Sequence, residues 1–77
     1  MPLKRLNELR KGERGKVAAI DGGHVGRRLM DMGLTSGSEI EMQGVAPMGD
    51  PIEIKVRGYN LSLRKSEAAS VKVEVPE

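Results

Sequence analysis

The chain has 77 residues, no cysteine, and 13 basic against 11 acidic side chains, giving a net charge of +2. That size fits one small domain over residues 1–77, near the lower limit for independent folding, and it excludes disulfide staples and thiolate metal sites, which suits a reducing cytosol. The balanced charge argues against a polyanion partner for the whole chain, and the lone aromatic, Tyr59, removes the stacking platforms and aromatic grooves of nucleic-acid and proline-peptide readers.

No apolar run is long enough to span a membrane, and MPLKRLNELRKG lacks the apolar centre of a signal peptide. Leu3, Leu6 and Leu9 recur at every third residue. That spacing suits a short helical turn at Leu6–Leu9 better than an extended edge, its alternative. Lys4, Arg5, Arg10, Lys11, Arg14 and Lys16 face only Glu8 and Glu13 over this stretch. They form either a local basic patch or an ordinary solvated surface. Lys11 to Gly15 reads as a polar turn. Lys16 to Ile20 reads as the first strand, broken by Asp21-Gly22-Gly23.

His24 to Met32 is the helix. Val25, Leu29 and Met32 fall on one stripe. Gly33 suits the left-handed position just past a helix end, with Leu34 as its hydrophobic contact. Thr35-Ser36-Gly37 turns the chain into a strand from Glu39 to Val45, with Ile40 and Met42 inward and Glu41 and Gln43 outward. Gly44 marks a bulge. Ala46 to Pro51 is a loop with a proline at each end.

Ile52, Ile54 and Val56 then alternate with Glu53, Lys55 and Arg57, and Leu61 and Leu63 alternate with polar residues. Gly58-Tyr59 is the Gly-X pair that a two-residue type II′ turn prefers. A hairpin closed there pairs Arg57 with Asn60, Val56 with Leu61 and Ile54 with Leu63. Lys65 to Ala69 favours one helical turn. Val71, Val73 and Val75 alternate as a last strand, stopped by Pro76. The expected fold is mainly β: a small, partly open antiparallel barrel of five strands with one short inserted α-helix. Its core should take in Ile40, Met42, Ile52, Ile54, Val56, Leu61, Leu63 and Val73.

Catalytic chemistry finds no constellation. The serines and threonines lie in turns or strands, and His24 has no nucleophile in a recognisable motif. Glu39 and Glu41 alternate outward as a solvated strand face. A closed metal site wants three or four ligands, and only Asp21 and His24 offer a weak pair. Gly22-Gly23-His24 is a turn rather than a nucleotide-binding loop, because no βαβ unit surrounds it. The A-P-M-G-D-P loop differs. Its prolines fix their own φ and restrict the residues before them. Met48, held between them, suits partner docking or folds back as a plug over the barrel end.

The ordered set of motifs resembles the ferrous iron transport protein A family, FeoA, over about residues 3 to 75. It consists of L-x-x-L at Leu6 to Leu9, G-x-V at Gly15 to Val17, R-R-L-M-D-M-G-L in the helix, S-G-S-E-I, A-P-M-G-D-P, I-x-I-x-V-R-G and L-S-L-R-K-S-E-A. The resemblance implies a cytoplasmic SH3-like barrel that acts on the cytoplasmic side of bacterial ferrous iron uptake, recruited to the inner face of the membrane by its partner. It implies a non-enzymatic regulatory or scaffolding role, without cofactor, toward a FeoB-type ferrous iron transporter with a GTPase-like cytoplasmic domain. Mapped onto this chain, the expected contact residues are Arg28, Leu29, Gly33, Leu34, Ala46, Pro47, Met48, Gly49, Asp50 and Pro51. Similar domains end iron-dependent transcription regulators, whose DNA-reading and dimerisation parts have no counterpart here. The alternatives are a small nucleic-acid-binding barrel using residues 4–16 and a weak transition-metal module.

Overall fold

In a computed structural model, which describes residues 2–21 and 23–76, alternating apolar residues build one antiparallel sheet. Its strands are β1 (Leu3–Arg5), β2 (Arg14–Ile20), β3 (Glu39–Val45), β4 (Ile52–Val56), β5 (Tyr59–Leu63) and β6 (Val71–Glu74). A 3-10 turn at Leu6–Glu8 follows β1, helix α1 (Gly23–Asp31) follows β2, and the four-residue helix α2 (Lys65–Ala68) follows β5. The strand order is β1-β6-β2-β3-β4-β5, with β1 and β5 left as edges. The sheet is curled but not closed.

The lead-in therefore does both things its leucine spacing allowed. Leu3 to Arg5 is extended and pairs with β6, and Leu6 to Glu8 makes the short turn. This adds a sixth strand to the expected five. β2 serves two partners, pairing with β3 through Arg14–Lys16 and with β6 through Lys16–Ile20. A bulge between Val17 and Ala19 lies in the β6 pairing, and a bulge bends the strand that carries it. The expected bulge in β3 falls between Met42 and Gly44.

The β4–β5 hairpin corrects the sequence reading. Its turn is Arg57-Gly58, not Gly58-Tyr59, with Val56 paired to Tyr59, Ile54 to Leu61 and Ile52 to Leu63. Both turn residues are left-handed, at φ of 51° and 85°, as a type I′ turn requires. Moving the turn by one residue moves each partner by two. An even shift keeps every side chain on its face, so the core assignment survives the error in register. An arginine in this conformation is uncommon. Here its Nη2 donates to Thr35 Oγ1 at 3.0 Å and Ser38 Oγ at 3.3 Å, tying the hairpin tip to the α1–β3 connection.

α1 ends as its sequence predicts. Gly33 has φ of 100°. The Leu34 N–H donates to the Leu29 carbonyl and the Gly33 N–H to the Met30 carbonyl, each at 3.0 Å. These are the two bonds of a Schellman cap. Of the expected break before α1, Asp21-Gly22-Gly23, Gly22 lies outside the described residues.

Seven of the eight expected core residues are buried, and Leu61 packs half-buried against them. The core also takes in Leu6, Leu9, Val17, Leu29, Leu34, Ala68, Val71 and Val75. Burying a Val or Leu side chain contributes about 1.5–3 kcal/mol. A core without aromatics is thus built from many medium-sized side chains.

Candidate docking surface

The loop between β3 and β4 is fixed by its own backbone. The Ala46 N–H donates to the Pro51 carbonyl at 3.0 Å, and the Gly49 N–H to the Ala46 carbonyl at 2.7 Å. Asp50 Oδ1 accepts the Lys65 N–H at 2.8 Å, which pins the loop to the start of α2. Met48 is carried at the apex and is 92% exposed. That exposure rules out the plug alternative. Val45, at the loop's base, is also exposed.

α2 connects this loop to α1. Glu67 is a buried carboxylate. Its Oε1 accepts the Arg64 N–H at 3.0 Å, capping α2, and its Oε2 accepts Arg28 Nη1 at 2.8 Å. Arg28 keeps an exposed outer side but is held in place by that pair. Loop, α2 and Arg28 thus form one linked run of surface: Asp50 grips one end of α2, and Glu67 of the same helix grips α1.

The other expected contact residues divide by burial. Leu29 and Leu34 have no exposed surface and act inside the core, as the two apolar ends of the α1 cap. Gly33 lies beside Tyr59, whose hydroxyl donates to the Met32 carbonyl at 2.7 Å. A Cβ on Gly33 would overlap that hydroxyl. Ala46 and Gly49 are half-buried, while Pro47, Met48, Asp50 and Pro51 are exposed.

Asp21 faces cations of the chain itself. Its Oδ2 accepts Arg5 Nη1 at 3.0 Å and lies 3.7 Å from Lys72 Nζ. The Arg5 hydrogen bond first, and the Lys72 charge second, hold the carboxyl below its ordinary pKa. A metal ion would have to displace these partners. His24 is exposed on α1, and among the described residues no three His, Cys, Asp or Glu side chains cluster in a metal-binding group. The basic lead-in is likewise engaged: Lys4 pairs with Glu13 at 3.2 Å, Arg5 with Asp21, and Arg14 with Glu41 at 3.6 Å.

Sheet and surface together define a small SH3-like barrel that displays a braced apolar loop. The chain belongs to the FeoA domain family, whose model matches residues 4–75. It is 47% identical to a FeoA-like protein from Clostridium acetobutylicum solved by NMR, with a TM-score of 0.91 over 100% of this chain and 91% of that one. It is 31% identical to Stenotrophomonas maltophilia FeoA, a prokaryotic SH3 domain protein crystallised with zinc. That match has a TM-score of 0.78 and covers 90% of this chain and 87% of that one. A curated relative, the Fe(2+) transport protein A/Fe(2+) transporter FeoB fusion protein of Porphyromonas gingivalis, is 36% identical over 72 residues, 92% of this chain. The chain spans 8% of that relative's length. The family is an accessory domain of ferrous iron transport. No helix among the described residues is long and apolar enough to cross a membrane.

Proposed function

We propose that this chain is a non-enzymatic docking module of bacterial ferrous iron transport, acting on the cytoplasmic part of a FeoB-type transporter. The observation that carries this reading is the fused relative, in which a FeoA portion and the FeoB transporter share one polypeptide. Fusion turns a second binding event into an intramolecular one at high effective concentration. It is useful where the two parts associate.

The surface that suits such an association is the loop Ala46 to Pro51 with the outer side of Arg28. Interface centres favour Met and Arg and disfavour Lys and Glu. The outward strand positions here are mostly Lys and Glu. A loop already fixed by its own hydrogen bonds loses little conformational entropy when it docks, which favours affinity. Leu29, Gly33 and Leu34 serve the surface from beneath by holding the end of α1.

The test is co-purification of tagged protein with the transporter or its soluble domain, together with ferrous iron uptake in a deletion strain. Uptake should fall on deletion. Met48→Asp should weaken binding at least tenfold without changing the melting temperature by more than a few degrees, because its side chain contacts little else. Normal uptake together with no recoverable complex would overturn the docking role. A folded Met48→Asp variant with undiminished binding would move the contact surface elsewhere.

A further inference from the structure

β5 is an edge strand without the usual protection. Edges are normally blunted by shortness, charge, proline or cover. The opposite edge, β1, has three residues, two of them Lys4 and Arg5. β5 has five, Tyr59-Asn60-Leu61-Ser62-Leu63, with neither charge nor proline. In a two-residue hairpin the pair flanking the turn is hydrogen-bonded, and the ladder alternates from there. Val56–Tyr59, Ile54–Leu61 and Ile52–Leu63 are thus the bonded pairs. Asn60 and Ser62 therefore turn their N–H and C=O groups away from β4. No other backbone or side-chain partner takes them among the described residues.

Ser62 also lines a shallow cleft of about 280 Å³ with Gln43, Val45, Ala46, Pro51 and Glu53. The outer face of β5 thus adjoins the base of the Met48 loop, and Asp50 of that loop meets the chain just past β5 at Lys65. Cations follow β5 at its second end, Arg64 and Lys65. Neither side chain enters an ion pair among the described residues. Asp50, bound to the Lys65 N–H, offsets part of this charge. At the first end Arg57 is turned to Thr35 and Ser38.

This pattern selects an occupant. A second copy of β5, paired antiparallel about Leu61 so that both free residues are used, carries no acidic residue to set beside Arg64 and Lys65. Opposite charges that meet across strands are favourable. An extended segment with an uncharged middle and an acidic end supplies them. Strand addition of this kind draws affinity from main-chain hydrogen bonds and specificity from the flanking side chains. We propose that the β5 edge receives an acidic-ended, extended segment of the partner protein as a seventh strand, beside the Met48 loop. The proposal rests on the docking role argued above and identifies how the partner is held.

Hydrogen exchange on the complex with the transporter's soluble domain tests it directly. The Asn60 and Ser62 amides should exchange fast in the free protein and be protected at least tenfold in the complex. A second readout uses Ser62→Pro, which removes only an outward N–H and is tolerable at an edge, against Ser62→Ala, which keeps it. Binding should fall at least tenfold for the proline variant alone. Should the proline variant misfold, the exchange experiment on the unmodified chain decides. A complex that is sensitive to Met48→Asp but leaves Asn60 and Ser62 unprotected overturns strand addition and leaves the docking role standing. Absence of any complex overturns both.

Discussion

Tyr59 is the one aromatic residue of the chain, and the core does not use it. Its ring stands at the surface and its hydroxyl closes the end of α1 through the Met32 carbonyl. Gly33 beside it carries two constraints, a left-handed backbone and the space that the hydroxyl occupies. Tyr59→Phe should cost about 0.5–1.5 kcal/mol, the net contribution of one hydrogen bond. Gly33→Ala should cost about 1–3 kcal/mol, because strain and overlap both act there. The pair should be non-additive, since Phe removes the atom that a Cβ at residue 33 would strike. Chemical denaturation of the two single variants and the double variant measures this. Additive costs would mean that the helix end relaxes independently of Tyr59. The sequence announced Gly33 as a cap, because Gly after an amphipathic stripe is a local signal. It did not announce Glu67. Its partner Arg28 lies 39 residues away, and K-S-E-A reads only as helix-forming.

At the scale of elements, the hairpin shows which kind of information alternation holds. Period-two patterning assigns faces, and Ile52, Ile54, Val56, Leu61 and Leu63 share the one face it gives them, whereas Tyr59, read as a turn residue, belongs to β5. The pattern cannot distinguish registers that differ by two. The choice fell to the turn, where Gly58 fits the first position of a II′ turn as well as the second of an I′ turn. What decides is Arg57, held in a left-handed conformation by hydroxyls from a distant loop, and that is a tertiary effect. The extra strand β1 was obscured for a related reason. A three-residue edge has too few positions to show a period. β4 is the element best placed to test the packing, because β3 and β5 flank it on both sides. Ile54 is fully buried there. Ile54→Ala should cost roughly 2–5 kcal/mol. Total stabilities are about 5–15 kcal/mol, and small domains lie low in that range. A urea titration should show a large drop in midpoint. A variant melting within a few degrees of the parent would place Ile54 outside the core.

Over the whole molecule, charge is arranged to hold the lead-in against the sheet. Glu13 is kept below its ordinary pKa first by the Arg10 N–H and then by Lys4, and Asp21 first by Arg5 and then by Lys72. For a carboxylate whose folded pKa is depressed, the stabilisation is present above the unfolded value and is lost as pH falls through the folded one. Stability should therefore be level near neutrality and decline as pH drops below the ordinary values of 4.5 for Glu13 and 3.8 for Asp21. Thermal melts from neutral to acid pH check this. Glu13→Gln with Asp21→Asn should flatten the acid limb, and an unchanged limb would assign it to other groups. The same pairings weaken the nucleic-acid alternative. Lys4, Arg5 and Arg14, half of the six lead-in cations, already face carboxylates, so fewer remain to displace counterions from a phosphate backbone.

β1 and β6 run antiparallel with Leu3 opposite Glu74, and the Val75 N–H reaches the Pro2 carbonyl at 3.0 Å. A pull applied through residues 2 and 75 therefore loads the β1–β6 seam from one end. Its hydrogen bonds lie along the line of tension and break one after another, as a zipper opens, rather than sharing the load as a shear joint does. The barrel is mechanically soft along this axis whatever its thermal stability. Single-molecule extension from these two points should peel β1 first at low force, while a pull applied across the β3–β4 ladder should meet greater resistance.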